Sequence, residues 1–150
     1  MTIQDQVFMA IAAWKENRGG LTPGMKSVIN VIVNRSTRDK VTPYTEATRR
    51  LQFSSVTAPG DPELVIWALD QDPQWLNALF MAQQAAGGIL EDITNGSVDY
   101  YAPKALTADR IDPVPYTLPD GTSVPFPKGW NRTKLVFEVE IAGQLFFREN

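Results

Sequence analysis

Apolar residues recur three or four positions apart between Ile3 and Trp14, which is the spacing of one helix face. Thr2 is positioned to cap this helix, and Asp5, three residues later, completes the sequence of a capping box. The glycine pair 19–20 ends the pattern, because glycine disfavours a helix interior. A first helix is therefore expected to end just before these glycines.

A second helix is expected from Thr22, which fits an N-cap, and Pro23, which fits the first helical position. The apolar residues of 25–33 are rich in β-branched side chains, but their spacing and the preceding cap favour a buried helix over a strand. The polar stretch 36–44 is expected to be a loop, and 45–51 a short helix.

Two aspartate–proline pairs, at Asp61 and Asp72, predict two further helix starts after a loop that includes 52–55. The first of these helices is expected to run to about Asp70, and the second over 74–86. Five large apolar residues in the two segments are expected in the core: Trp67, Trp75, Leu76, Leu79 and Phe80.

The last third of the chain changes from helix patterns to turns and short strands. Residues 92–96 have the composition of a turn, and the prolines of 102–128 exclude a long helix. A turn at 119–121 is expected between two short strands. Residues 135–141 alternate as a half-buried strand does and are expected to form a hairpin with 145–147.

Helices followed by strands indicate an α+β fold, mainly helical with a small antiparallel β region near the C-terminus. The 150 residues suit one domain, 1–150. Histidine and cysteine are absent, which excludes a Ser-His-Asp triad, a thiolate nucleophile, a disulfide and an imidazole-based zinc site. Acid–base chemistry near neutral pH must then use Glu, Asp, Lys or Tyr.

The charge distribution argues against two classes of partner. The net charge is -3, and the chain lacks the basic stripe of a nucleic-acid-binding protein. No apolar run approaches the ~20 residues that span a bilayer, so membrane insertion is not expected. No metal site and no organic cofactor are expected.

Glu16 is the acidic residue at the far end of the first apolar helix, beside a tryptophan and several alanines. Burial of a carboxyl against apolar side chains raises its pKa. Cleavage of a glycosidic bond needs such a carboxyl as general acid. The residues alone leave open an ordinary solvated glutamate at the end of a helix.

Four blocks of the chain, in order, resemble the SleB-like cell-wall hydrolases of the spore-cortex-lytic type. The matching residues are Glu16, Arg18, Gly19, Gly24, Asn34 and Arg35, then Gln52, Phe53 and Ser54, then Asp92, Thr94, Gly96, Tyr100, Tyr101 and Pro103, then Ile141 and Phe146. Gln144 stands where the family usually has histidine, Ala142 where it has glycine, and Ser97 where it has alanine.

The resemblance implies a lysozyme-like fold and cleavage between N-acetylmuramic acid and N-acetylglucosamine by lytic transglycosylation. The matching Glu16 would protonate the leaving oxygen and then act as base on the sugar's own 6-hydroxyl, which closes an anhydro ring. This reaction needs one carboxylate, whereas the usual scheme places a second acid across the bond. The first block contains no second acid.

Six further residues are expected to bind the substrate: Gln52, Ser54, Thr94, Tyr100, Tyr101 and Trp130. One tyrosine of the pair should face the groove if the run is extended, and Tyr101 is alternatively a packed residue. Trp130 is expected to stack on a sugar ring. Thr94 is alternatively a turn residue, and Asp92 either caps that turn or is a second carboxylate.

The sequence leaves the function class open among three alternatives to a transglycosylase. They are a hydrolytic muramidase, in which water replaces the 6-hydroxyl, a glycan-binding or virion-associated module without turnover, and an interaction protein without a sugar ligand. No export signal and no separate wall-binding domain are expected. A bare catalytic domain of this size resembles a bacteriophage endolysin. We expect a monomer, made in the cytoplasm and released through a holin-type pore, with peptidoglycan strands as its partner.

Overall fold

The computed structural model describes residues 1–50 and 52–150, in which helices come first and strands follow. The α-helices and strands are α1 (Ile3–Asn17), α2 (Leu21–Asp39), α3 (Pro43–Ala47), α4 (Ser54–Thr57), α5 (Pro73–Ala86), β1 (Asp99–Tyr101), β2 (Tyr116–Thr117), β3 (Ser123–Val124), β4 (Leu135–Ile141) and β5 (Gln144–Glu149). About 49% of the residues are helical and 15% are in strands. The predicted α+β class, mainly helical with a small antiparallel sheet near the C-terminus, is confirmed.

The chain divides into two compact units, Met1–Gly96 and Ser97–Asn150. The helices α1 to α5 belong to the first unit, and the strands β1 to β5 belong to the second. The expectation of a single domain over 1–150 stays a prediction.

The predicted capping box opens α1. The Asp5 backbone N–H donates to Thr2 Oγ1 (3.1 Å), and the Thr2 backbone N–H donates to Asp5 Oδ2 (2.6 Å). The second Asp5 oxygen accepts from the Tyr44 backbone N–H (3.0 Å). The cap therefore also ties the start of α3 to the start of α1.

The core of the first unit lies where α1, α2 and α5 pack against one another. Alanines on α1 and α5 allow close approach, and larger side chains from α2 fill the space between the helices. The fully buried residues of these helices include Met9, Ala10, Ala12, Ala13, Met25, Val28, Ile29, Val31, Ile32, Ala78 and Ala82. The choice of helix over strand for 25–33 is confirmed.

Both expected ends of α2 are wrong. The helix begins at Leu21 after a 3₁₀ turn, with Gly20 as its N-cap, so Thr22 lies inside the helix. It continues into the stretch 36–44, expected as a loop, and ends at Asp39. The Ser36 hydroxyl donates to the backbone carbonyl of Ile32 (2.6 Å), four positions earlier. The hydroxyl of this buried serine therefore has its hydrogen-bond partner within the helix itself.

The segments after α2 also differ from the prediction. The short helix expected at 45–51 begins earlier, as α3, with Thr42 as N-cap. Leu51, its expected end, lies outside the described residues. The loop expected at 52–55 contains the start of α4.

The helix expected from Asp61 to Asp70 is wrong, because only Pro62–Val65 forms a 3₁₀ turn. The Lys15 ammonium, on α1, donates to the backbone carbonyls of Glu63 and Leu64. A continuing α-helix would direct these carbonyls to backbone N–H groups four positions later. A tertiary contact thus competes with the local helix signal.

The start of α5 matches the prediction, since Asp72 caps it and accepts from the Gln74 backbone N–H (2.8 Å). The expectation of a core role for the large apolar residues is wrong for Trp67, Leu76 and Phe80, which are 65%, 50% and 57% exposed. Trp75 and Leu79 are half-buried. The inward positions of α5 are instead occupied by small residues and methionine: Ala78, Met81, Ala82 and Ala85.

The second unit contains an antiparallel sheet in the order β1-β5-β4 and a separate β2-β3 hairpin. The predicted β4–β5 hairpin turns at Ala142 and Gly143, which both have positive φ (51° and 76°). Two such residues are typical of a type I′ turn, whose twist matches that of the strands. A register shift between Phe137 and Val139 interrupts the expected alternation of β4.

Candidate functional site around Glu16

Glu16 lies in the last turn of α1 and is partly buried. The Ser55 hydroxyl, on α4, donates a short hydrogen bond to Glu16 Oε1. The ring of Phe53, directly before α4, is fully buried and anchors this helix in the core. The packing of Phe53 therefore fixes the position of Ser55, two residues later.

The pKa of Glu16 is raised above its ordinary value. Burial makes the largest contribution, because removing water disfavours the charged carboxylate. Hydrogen bonds from Ser55 oppose this shift, and the negative charges of Asp61 and Glu63 add to it. A glutamic acid that holds its proton above the ordinary pH range is suited to donate that proton to a leaving group.

Asp61 lies in the same cluster, and the sequence analysis assigned it only a capping role. The Ser54 hydroxyl donates to Asp61 Oδ2 (2.6 Å), and the Glu63 backbone N–H donates to Asp61 Oδ1 (2.9 Å). The Ser54 hydrogen bond makes the largest contribution to lowering the pKa of Asp61. Its proximity to Glu16 depends on tertiary contacts, and no local sequence pattern signals it.

Cations on α1 and the turn that follows it hold the segment that carries Asp61. Arg18 donates two parallel hydrogen bonds to the Glu63 carboxylate (2.7 and 3.0 Å), and its guanidinium lies 4.4 Å from the centre of the Trp14 ring. The Lys15 ammonium lies 4.3 Å from the centre of the Trp67 ring. Bidentate arginine–carboxylate pairs fix orientation as well as position.

Of the expected substrate-binding residues in the first unit, Ser54 lies in this cluster and is exposed, with its hydroxyl on Asp61. Gln52 is also exposed, and its side-chain oxygen accepts from Arg35 Nη1 on α2 (2.7 Å). Arg35 also approaches the fully buried carboxylate of Glu46 (3.8 Å). Gln52 is therefore tied to α2, while Ser54 is tied to the acidic residues.

Thr94 is fully buried in the turn after α5, and its hydroxyl donates to Asp92 Oδ1 (2.6 Å). Asp92 also accepts from the backbone N–H groups of Thr94 and Gly96 (both 2.8 Å). Burial raises the pKa of Asp92, but these hydrogen bonds outweigh it and lower the pKa overall. The placement is typical of turn residues and offers no support for Thr94 as a sugar contact or for Asp92 as a second catalytic acid.

Tyr100, Tyr101 and Trp130 belong to the second unit. Tyr101 is 7% exposed and its hydroxyl donates to the Pro125 carbonyl (2.8 Å), and burial raises its pKa to about 12. This placement is that of a packed tyrosine. Tyr100 is half-buried and stacks on Phe146 with ring centres 5.2 Å apart.

Trp130 is half-buried, and its ring meets Tyr101 edge-to-face at 5.5 Å. It lines a cleft of about 460 Å³ together with Arg110 and Lys128. The predicted sugar stacking of Trp130 stays a prediction, as do the other substrate contacts.

Two absences hold for residues 1–50 and 52–150. No group of three or more acidic residues there has the arrangement that a metal ion requires. No helix in the same residues is both long enough and apolar enough to cross a bilayer.

A scan against protein-family models, a search of curated proteins and a search of solved structures each found no match for this chain. The resemblance to SleB-like hydrolases therefore rests on the residue pattern alone.

Proposed function

We propose that the protein is a glycosidase that cleaves the glycan strands of peptidoglycan, with Glu16 as general acid. The observation that carries this proposal is the partly buried Glu16 carboxyl with a raised pKa, held by Ser55. A protonated carboxyl of this kind can donate to the oxygen of a glycosidic bond as the bond breaks. The pattern resemblance supports the choice of peptidoglycan as substrate.

In this reaction the Glu16 proton passes to the oxygen between N-acetylmuramic acid and N-acetylglucosamine. The bond from that oxygen to the anomeric carbon breaks, and its electron pair stays with the oxygen. The resulting Glu16 carboxylate then removes the proton of the sugar's own 6-hydroxyl, which closes the anhydro ring. This first candidate reaction, to which the pattern resemblance leads, is a lytic transglycosylation that needs a single acid–base residue.

Hydrolysis by a muramidase is the second candidate, and one observation favours it. A second carboxylate, that of Asp61, lies close enough to Glu16 to raise its pKa. Most glycosidases that hydrolyse their substrate use two carboxyl groups of this kind.

A bacteriolytic role as an endolysin-like enzyme that leaves the cytoplasm through a holin-type pore remains part of the proposal. So does action as a monomer on peptidoglycan strands, without a cofactor.

The test is mass spectrometry of the soluble products released from purified peptidoglycan. Wild-type protein and a Glu16→Gln variant are compared, with Glu91→Gln as matched control because the Glu91 side chain is 79% exposed and pairs with Lys26. The Glu16 variant should release fewer products by a factor of about 10²–10⁴, the usual contribution of one general acid–base group. Wild-type rates in the Glu16 variant would refute the assignment, and no products from folded wild-type protein would favour a binding module.

A further inference from the structure

Two consecutive serines on α4 contact two different carboxyl groups. Ser55 donates to Glu16, and Ser54 donates to Asp61 Oδ2 (2.6 Å). Glu16 comes from the end of α1 and Asp61 from the segment after α4, so one short helix holds both acids. The pair is therefore built by the fold and does not depend on sequence proximity.

The two carboxyl groups have opposite surroundings. Glu16 is desolvated, which favours its protonated form, while both oxygens of Asp61 accept hydrogen bonds, which favours its ionised form. Two neighbouring carboxyl groups whose environments separate their pKa values are the arrangement that divides acid and base roles in glycosidases.

Glu63 is the third carboxylate near Glu16, but its two oxygens are held by the Arg18 guanidinium. The oxygens of Asp61 are held instead by a hydroxyl and a backbone N–H, which are neutral donors. Asp61 is therefore ionised without a direct ion pair of the kind that Arg18 makes with Glu63, although the charge of Lys15 also lowers its pKa.

We propose that Asp61 is a second catalytic residue, a base that orients and deprotonates a water molecule, so that the reaction at Glu16 ends in hydrolysis. This inference rests on the proposed glycosidase function. It selects the muramidase outcome over the transglycosylase outcome, and it assigns to Asp61 the role that the sequence analysis considered for Asp92.

The Glu16 carboxyl gives its proton to the glycosidic oxygen, and the bond between that oxygen and the anomeric carbon breaks with its electron pair on the oxygen. The oxygen of water forms a new bond to the anomeric carbon, and one proton of that water passes to the Asp61 carboxylate. The products are a reducing N-acetylmuramic acid end and a free 4-hydroxyl, and a proton then returns from Asp61 to Glu16 through solvent.

A purely structural role for Asp61 can be separated from this one. Asp61 Oδ1 accepts from the backbone N–H two residues later, as Asp120 Oδ1 does from Thr122 (2.8 Å). Asparagine supports the same turn, because its side-chain oxygen accepts in the same way. Asp61→Asn therefore keeps the turn and removes the charge, and Asp120→Asn is the matched control.

The experiment measures reducing and anhydro ends by mass spectrometry after digestion of purified peptidoglycan. Wild-type protein and the Asp120→Asn control should form reducing ends. Asp61→Asn should form them more slowly by a factor of at least about 10², and its remaining products should shift toward anhydro ends. Circular dichroism checks that the variants are folded.

A second variant, Ser54→Ala, tests the pH profile. Loss of the Ser54 hydroxyl removes a hydrogen bond to ionised Asp61, so the acid limb of the rate profile should move to higher pH. This pH profile tests the catalytic role of Asp61 even if Asp61→Asn does not fold, since a purely structural Asp61 would leave the acid limb of the profile in place.

Three results would overturn the inference. Wild-type protein that forms only anhydro ends would exclude hydrolysis but leave the glycosidase proposal intact. Asp61→Asn at wild-type rate, beside an inactive Glu16→Gln, would also remove only the role of Asp61. Folded wild-type protein without products would remove both proposals.

Discussion

The substitution Glu16→Gln should stabilise the folded protein at neutral pH while it removes activity. Gln keeps the side-chain oxygen that accepts from Ser55 but carries no charge. In the wild type, burial makes the folded state prefer the protonated carboxyl, and the pKa of Glu16 is raised above its ordinary value of 4.5. Ionisation of Glu16 at neutral pH therefore lowers the free energy of unfolding.

The sign of the pH dependence follows from this direction. Below the ordinary value of 4.5 the carboxyl is protonated in both the folded and the unfolded state, so the wild type has no penalty. As the pH rises through the folded-state pKa, the unfolded chain has already lost its proton and the free energy of unfolding decreases. The Gln variant lacks this loss, so the difference between the two proteins should widen with pH.

The magnitude depends on how far the pKa of Glu16 differs between the folded and the unfolded state, and each tenfold change in an acid dissociation constant corresponds to about 1.4 kcal/mol. Two features of the structure limit it: Glu16 is only partly buried, and Ser55 hydrogen bonds stabilise the charged form. In a protein of 150 residues, 1 kcal/mol corresponds to a change in Tm of about 2–4 °C.

The assay is urea denaturation at about pH 4 and about pH 7.5, on either side of the window in which a raised glutamate pKa acts. Glu91→Gln is the control, since its side chain is exposed and lies in a surface ion pair. A Gln variant that is less stable than wild type at the higher pH would refute the reasoning. Equal differences at both pH values would show that Glu16 is not desolvated.

Three further predictions test other features of the two units. Ser55→Ala removes a hydrogen-bond donor to the Glu16 carboxylate, so the pKa of Glu16 should rise further. The alkaline limb of the pH–rate profile should then move to higher pH, and an unmoved limb would contradict the hydrogen bond. Glu46→Ala removes the fully buried carboxylate that faces the buried Arg35, while Arg49 keeps its ion pair with Asp39 (2.7 Å), so the free energy of unfolding should fall by about 3–5 kcal/mol in urea denaturation. A loss under about 1 kcal/mol would count against the buried pair of Glu46 and Arg35. Tyr101→Phe removes the donor to the Pro125 carbonyl, so the free energy of unfolding should fall by about 1–2 kcal/mol while KM for peptidoglycan stays unchanged. A large rise in KM would instead favour a contact between Tyr101 and the substrate.

The elements that the sequence predicted well are those whose causes lie within a few residues. The capping box of α1 depends on Thr2 and Asp5, and the start of α5 depends on Asp72 and its following proline. The β4–β5 hairpin depends on alternation and on a two-residue turn. Short-range patterns decide such features because the hydrogen bonds that form them are local.

The wrong predictions share a different cause, which is competition from distant residues. The segment that begins at Asp61 has a good helix start, but the Lys15 ammonium, distant in sequence, donates to its backbone carbonyls. Leu76 and Phe80 on α5 are large and apolar, yet three alanines and a methionine occupy the inward positions of that helix. Apolar character alone does not determine which residue is buried when close helix packing requires small side chains.

The same division holds for the site. The sequence by itself determined that acid–base chemistry near neutral pH would use Glu, Asp, Lys or Tyr, and that Glu16 would end an apolar helix, because composition and periodicity are properties of the chain. Only the tertiary structure decided which groups face that carboxyl, since Ser55 is 39 residues away and its hydroxyl reaches Glu16 through the packing of α4. The pKa of Glu16 depends on burial and on the charges of Asp61 and Glu63. These are distances in space, and no spacing along the chain encodes them.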